Sequence, residues 1–188
     1  MKEEVRTMKD ESPVKAHRRF CARYLEIQDA KDVHERIRET RALFDEWKGV
    51  FARLMAAAET NDADVWHALG DACQNARGTE RDSEAARRWY QRAADAGHAR
   101  AMVRLAMMHQ KDARDSYSNA LALLKEAAKL GDAGAMVFLG FSYREGDGVS
   151  PDPDEAARWF SRAAEAGDKH ALVYVGKVWR DQGKPEQA

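Results

Sequence analysis

Cysteine and proline are the scarce residues of this 188-residue chain, with two and four copies respectively. Cys21 and Cys73 stand far apart and neither belongs to a Cys-x-x-Cys pair, so a disulfide framework is not expected. A reducing compartment, the cytoplasm, suits them best, each as a small apolar packing residue. Scarce proline leaves helices uninterrupted. No apolar run approaches the ~18 residues of a bilayer-spanning helix, and Met1 to Asp10 carry charge without the apolar segment of a secretory signal. An excess of one charge is missing too. Lys plus Arg number 31 against 32 Asp plus Glu, so no global field draws in nucleic acid or an anionic membrane.

Constellations for chemistry are also absent. His17, His34, His67, His98, His109 and His170 show no metal-ligand spacing, and His34-Glu35-Arg36-Ile37-Arg38 lacks the second His of a metalloprotease helix. Gly146-Asp147-Gly148 has no Lys-Ser/Thr partner to make a phosphate loop. No nucleophile stands with a recognisable base and orienting group. The expectation is a protein with no catalytic residues, no metal and no cofactor, which is not an enzyme.

Repetition is what the chain does have. Residues 84–97 read Glu-Ala-Ala-Arg-Arg-Trp-Tyr-Gln-Arg-Ala-Ala-Asp-Ala-Gly, and 155–167 read Glu-Ala-Ala-Arg-Trp-Phe-Ser-Arg-Ala-Ala-Glu-Ala-Gly. A weaker copy passes through Ala120, Leu123, Leu124, Ala127, Ala128 and Gly131. The glycines Gly97, Gly131 and Gly167 lie 34 and 36 residues apart, and Leu105, Leu139 and Val175 keep both intervals. Self-similarity at this period predicts an all-α solenoid of antiparallel helix pairs, each too small to bury its apolar face alone.

Taken in order, residues 1–12 lack periodicity and are expected to be disordered, and 13–61 form an N-terminal helical extension. Pro13 opens a helix whose Val14, Phe20, Cys21, Tyr24, Leu25 and Ile27 share a broad face. Asp32 and Glu35 have the spacing of a capping box. Val33, Ile37, Phe44, Trp47, Phe51, Leu54 and Ala58 then recur at helical spacing, with Gly49 a candidate break. Shifting the repeat back by 36 residues places Asn61 under Gly97, so Val50 to Asn61 reads as the second helix of a degenerate leading repeat. Repeats proper fill 62–183, with Asp82 or Ser83 capping the second helix of the first pair, and 184–188 form a tail. The last helix, Lys169 to Gln182, has no covering partner, so Val175, Val178 and Trp179 lose part of their expected shelter.

The combination Ala-x-x-x-Leu-Gly-x-x-Tyr (Ala135, Leu139, Gly140, Tyr143), Gly-x-Gly-Val (Gly146, Gly148, Val149) and Glu155 to Gly167 resembles the Sel-1-like repeat, a relative of the tetratricopeptide repeat. The likeness covers about residues 62–183, with one close copy and two partial ones. It implies a right-handed superhelix that acts as an adaptor in assembling protein complexes, often in bacteria. The middle repeat departs from it, with Lys111-Asp112-Ala113-Arg114-Asp115 in place of the glycine loop and Leu123 where its neighbours have Trp89 and Trp159. Secreted members stapled by cysteine pairs form a subgroup this chain does not fit.

Packing explains the repeated residue types. Small Ala93, Ala94, Ala127, Ala128, Ala163 and Ala164 let helices approach closely, and Trp89, Tyr90, Trp159 and Phe160 fill the wider gaps. In the first helix of each pair the first, fifth, sixth and ninth positions carry the signature, which leaves the second, fourth and seventh for a concave groove. These hold Trp66, Ala68 and Asp71; Met102, Arg104 and Met107; Met136, Phe138 and Phe141; Leu172, Tyr174 and Lys177. A groove rich in Met and aromatic residues suits another protein or an amphipathic peptide, with Trp66, Met102, Met136, Phe138, Phe141 and Tyr174 as anchors and Arg104 and Lys177 selecting acidic neighbours. Three alternatives stand beside the adaptor. The helix 13–29 fills the groove itself; the chain is a dedicated inhibitor, immunity or chaperone partner of one effector; or it is a structural homodimer joined through the Val33–Ala58 stripe or the uncovered C-terminal end.

Overall fold

A computed structural model describes residues 11–28, 33–112 and 116–183, with side chains assigned outside 33–38, 110–112 and 116. Most of the expected N-terminal disorder, the Asp32–Glu35 box, residues 113–115 of the middle loop and the tail 184–188 lie outside the described residues. All the regular structure within them is helical: α1 (Pro13–Gln28), α2 (Val33–Ala56), α3 (Ala63–Gln74), α4 (Ser83–Asp95), α5 (Ala99–Asp112), α6 (Ser116–Lys129), α7 (Ala133–Glu145), α8 (Pro153–Glu165) and α9 (Ala171–Asp181). Of the described helices none is long and apolar enough to cross a membrane. The chain forms two compact units, one up to Ala96 and one from Gly97.

Four helix starts share one chemical rule. Asp62, Asp82, Asp132 and Asp152 each stand at an N-cap, their carboxylates accepting the backbone N–H of Asp64, Ala85, Ala135 and Glu155 at 2.8–2.9 Å. Asp82 and Asp152 also donate their own N–H groups to the carbonyls of Cys73 and Tyr143, at 3.0 and 2.7 Å. The same clasp thus closes α3 onto α4 and α7 onto α8. Glycine closes the loops between them. Gly78 and Gly148 both hold φ of +76°, and a Cβ on Gly78 would sit 2.4 Å from the Trp47 carbonyl oxygen, one on Gly148 3.0 Å from Tyr117. Trp47 belongs to α2 and Tyr117 to α6, so α2 stands to the first repeat as α6 stands to the third.

In the first unit α1 packs on α2 and α3, and α4 on α3. Phe20 and Ile27 from α1 meet Leu43, Trp47, Val50 and Leu54 from α2 and Val65, Ala68 and Leu69 from α3 in one core. Phe20 and Tyr24 lie 6.4 and 5.8 Å from the Trp47 ring. Within the described side chains Leu43, Trp47, Val50, Leu54 and Ala58 of the α2 stripe are therefore covered by the chain's own helices, while Phe44 remains exposed, as does Met55 beside the stripe. Gly49 does not break α2. It is exposed with nothing within 4 Å of a built Cβ, and burial of the flanking stripe outweighs the roughly 1 kcal/mol a mid-helix glycine costs. Asn61 closes the following turn in the left-handed region, at φ +53°.

In the second unit α6 packs on α5, α7 on α6, α8 on α7 and α9 on α8. Its alanine-rich contacts, with Ala106, Ala120, Ala127, Ala128, Ala135, Ala163 and Ala171 buried, let the backbones approach closely. Tyr90 in the first unit and Phe160 in the second are fully buried, each over a signature glycine.

Candidate functional site

Helical register separates the expected groove positions. At about 100° per residue, the second position of each first helix falls within about 20° of the ninth, on the core side. The fourth and seventh lie on the other side. Trp66 and Met136, both second-position residues, are accordingly 5% and 6% exposed. The Trp66 indole N–H donates to the Ala58 carbonyl at 2.8 Å and Arg92 covers its ring at 4.3 Å, so both residues are core rather than open anchors. Met102 shares this register and packs, half-buried, in the same cluster as Met136. Leu172 shares it too but is 65% exposed, since no described helix follows α9.

In the first unit the face around the fourth and seventh positions is occupied by α1. Asp64, one residue before the first position, pairs with Arg18 at 3.1 Å, and Ala68 is buried in the cluster that holds Ala16 and Phe20. Asp71, at the seventh position, accepts the Tyr90 hydroxyl at 2.7 Å and acts electrostatically on His17. Here α1 fills the place that the periodicity reserved for a groove. The His17 ring lies 3.5 Å from the Cys21 sulfur, to which Arg77 donates at 2.8 Å while stacking 5.2 Å from the Trp47 ring. Burial, together with the Arg77 and Arg18 charges and against the pull of Asp71, lowers the His17 pKa to about 4. Burial also pushes the Cys21 and Cys73 thiols up, outweighing the pull of Arg77 on Cys21, so neither is an activated nucleophile. No periodicity announced this cluster, because 56 residues separate Cys21 from Arg77.

In the second unit the same positions hold Arg104, Met107, Phe138, Phe141, Tyr174 and Lys177. Phe141 and Tyr174, half-buried, meet each other at 5.0 Å and the buried Phe160 at 5.2 Å each, a trio with two edge-on pairs and one tilted pair that ties α7, α8 and α9 together. Phe138 packs, also half-buried, beside Met102 and Met136. Arg104 and Lys177 are exposed. Lys177 lies 5.7 Å from the Tyr174 ring and Arg144 lies 4.9 Å from the Phe141 ring. Beside this trio opens a cavity of about 680 Å³ lined by Arg144, Glu145, Lys177, Arg180, Asp181 and Gln182, among others. The arrangement offers aromatic edges and exposed cations to a docking chain. It offers no group poised for bond making, and among the described residues no three His, Cys, Asp or Glu side chains gather as a metal site.

Comparison with known proteins agrees with this geometry. The Sel1 repeat family matches residues 67–98, 99–132 and 133–168, more than half of the chain. Among solved structures, a Sel1 repeat protein from Oxalobacter formigenes is 28% identical, with a TM-score of 0.65 over 79% of this chain and 61% of its own. A protective antigen of uropathogenic Escherichia coli with an SLR fold is 24% identical, with a TM-score of 0.64 over 97% of this chain and 37% of its own. The cysteine rich protein B of Helicobacter pylori shares the fold at 16% identity and a TM-score of 0.53, over 68% of this chain and 93% of its own. The chain thus spans less than two thirds of the first two relatives. No curated protein sequence matches it. The three matched repeats, with their capping aspartates and the glycines beneath Tyr90 and Phe160, establish that the chain belongs to the Sel1 repeat family.

Proposed function

We propose that the chain is a cytoplasmic adaptor whose second unit binds a partner protein on the face formed by the fourth and seventh positions of α5, α7 and α9. Sel1 and tetratricopeptide-like repeats generally mediate protein–protein interactions and are a non-catalytic scaffold type, which supports the general role. The observation that carries the specific reading is internal to the chain. In the first unit this face is covered by an amphipathic helix, α1, whereas in the second it holds half-buried Phe138, Phe141 and Tyr174 beside exposed Arg104 and Lys177. Aromatic side chains flanked by cations are the usual composition of a protein-binding hot spot.

Affinity capture from the native cell with mass spectrometry tests it, comparing the wild-type chain with a Phe138→Ala/Tyr174→Ala variant whose folding is verified by circular dichroism. Capture of one protein by the wild type and its loss in the variant is the expected result. The same set captured by both would defeat the reading. A structural oligomer is the second reading, favoured by the 65% and 57% exposure of Leu172 and Val173 on α9. A mass by light scattering that stays that of one chain at high concentration would remove it.

A further inference from the structure

Resting on that reading, we infer that the partner segment taken by the second unit is an acidic amphipathic helix, docked across α7 and α9 as α1 docks on α3. The first unit shows how this repeat face receives a helix. Its face presents the carboxylates of Asp64 and Asp71, and the helix that lies on it brings Arg18 to Asp64 at 3.1 Å, with small and aromatic residues, Ala16 and Phe20, pressed against Ala68 and Leu69. Sign and shape are both complementary.

The second unit reverses the sign. At the seventh position Asp71 is replaced by Met107, Phe141 and Lys177, and at the fourth Ala68 is replaced by Arg104, Phe138 and Tyr174. Neither position holds a carboxylate on α5, α7 or α9. The nearby cavity carries three cations, Arg144, Lys177 and Arg180, against two acids, Glu145 and Asp181, and Glu145 already pairs with Arg144 at 2.6 Å. Lys177 and Arg180 are exposed, Pro153 and Val178 are the apolar residues lining the cavity, and Phe141 and Tyr174 pack beneath the Arg144 and Lys177 side chains. A helix that fits must therefore carry Asp or Glu facing Lys177 and Arg180, and apolar residues facing Phe138, Phe141 and Tyr174. Like charges facing Lys177 and Arg180 would repel a basic segment, so the face discriminates as well as attracts.

The test uses the full chain and two fluorescent 16-residue amphipathic peptides with one shared Phe/Leu/Ala face. One peptide has Glu and Asp on its polar face and the other Lys and Arg. Fluorescence anisotropy at low salt is expected to show the acidic peptide binding at least about tenfold more tightly, with the difference shrinking as salt rises. Lys177→Glu/Arg180→Glu, checked for folding by circular dichroism, is expected to abolish or invert the preference. Equal binding of both peptides, binding of neither, or a preference untouched by the charge reversal overturns the inference. A concentration-dependent dimer that the acidic peptide cannot dissociate overturns it as well, and assigns the face to a second copy. If the capture experiment identifies a partner lost in the Phe138→Ala/Tyr174→Ala variant but retained by the charge reversal, the adaptor reading stands and only the acidic helix fails. If neither substitution changes capture, both fail together.

Discussion

Alanine substitution at three helical glycines yields a prediction in which sign as well as size is set by the structure. In a helix interior Gly→Ala gains about 0.8–1 kcal/mol from backbone entropy alone. Gly49, on α2, is exposed and has nothing within 4 Å of a built Cβ, so Gly49→Ala collects this gain undiminished. Gly140, on α7, is different. Its Cβ would lie 2.5, 2.7 and 2.8 Å from three ring atoms of Phe160, and that ring is fully buried and held by Phe141 and Tyr174. Restoring van der Waals distance moves the ring by close to an ångström, which belongs to the upper part of the ~1–3 kcal/mol range for overpacking. After subtracting the helix gain, Gly140→Ala costs about 1–2 kcal/mol. Gly70 repeats the geometry against Tyr90, at 2.5 and 2.6 Å, and follows the same arithmetic. For a chain of this size these values correspond to a rise of about 2–4 °C in melting temperature for Gly49→Ala and a fall of about 2–8 °C for Gly140→Ala. Thermal unfolding followed by circular dichroism reads both. A Gly140→Ala protein as stable as the wild type would refute the packing argument, and a destabilised Gly49→Ala protein would refute the openness of that site.

Three further outcomes follow from the same structure. His17 has a folded pKa near 4 against 6.5 unfolded, so the unfolded chain binds the proton first and the buried neutral ring contributes fully above pH 6.5. About 3 kcal/mol is lost as pH falls from 6.5 to 4; urea midpoints at pH 7.5 and 5 should show about 2 kcal/mol of this decline, and His17→Leu should flatten it. Asp152→Ala removes the carboxylate that caps α8 and is expected to cost about 1 kcal/mol, measured by the shift in urea midpoint; an unchanged midpoint would mean the cap is idle. Phe160→Ala empties the centre of the aromatic trio and should cost about 3–5 kcal/mol, enough to unfold the second unit at moderate temperature, which loss of Trp159 near-ultraviolet dichroism would register.

The helix pairs were legible because two strong local signals coincide in them, the Ala-Ala-x-x-Gly ending and the register of Leu105, Leu139 and Val175. Gly146 and Gly148 announced their loop by residue type, and both adopt positive φ. Of the four aspartate N-caps described only Asp82 was named, with Ser83 as its alternative, although the other three share its chemistry. A single Asp before Ala is too common a pair to stand out without the loop geometry. The groove was legible in part. Position two was assigned to it because the signature leaves that position free, yet angular register places it beside the ninth, and Trp66 and Met136 are core in consequence. Positions four and seven, represented by Arg104, Phe138, Phe141, Tyr174 and Lys177, fall by the same register on the other side of the helix, and their use as a groove is the proposal made above. The docking of α1 on α3 was open from sequence because its determinants, Arg18 with Asp64 and His17 and Cys21 with Arg77, join residues 46 to 60 apart that share no pattern.

The account rests on the second unit's fourth- and seventh-position face being the surface that meets a partner. Photo-crosslinking in the native cell measures this directly, with a benzophenone amino acid placed at Tyr174 in one chain and at Arg158, on the exposed side of α8, in another. The account predicts a single heavier adduct from position 174 and none from position 158. Adducts from position 158 alone, or from neither position while the protein is still captured with its partner, would contradict it.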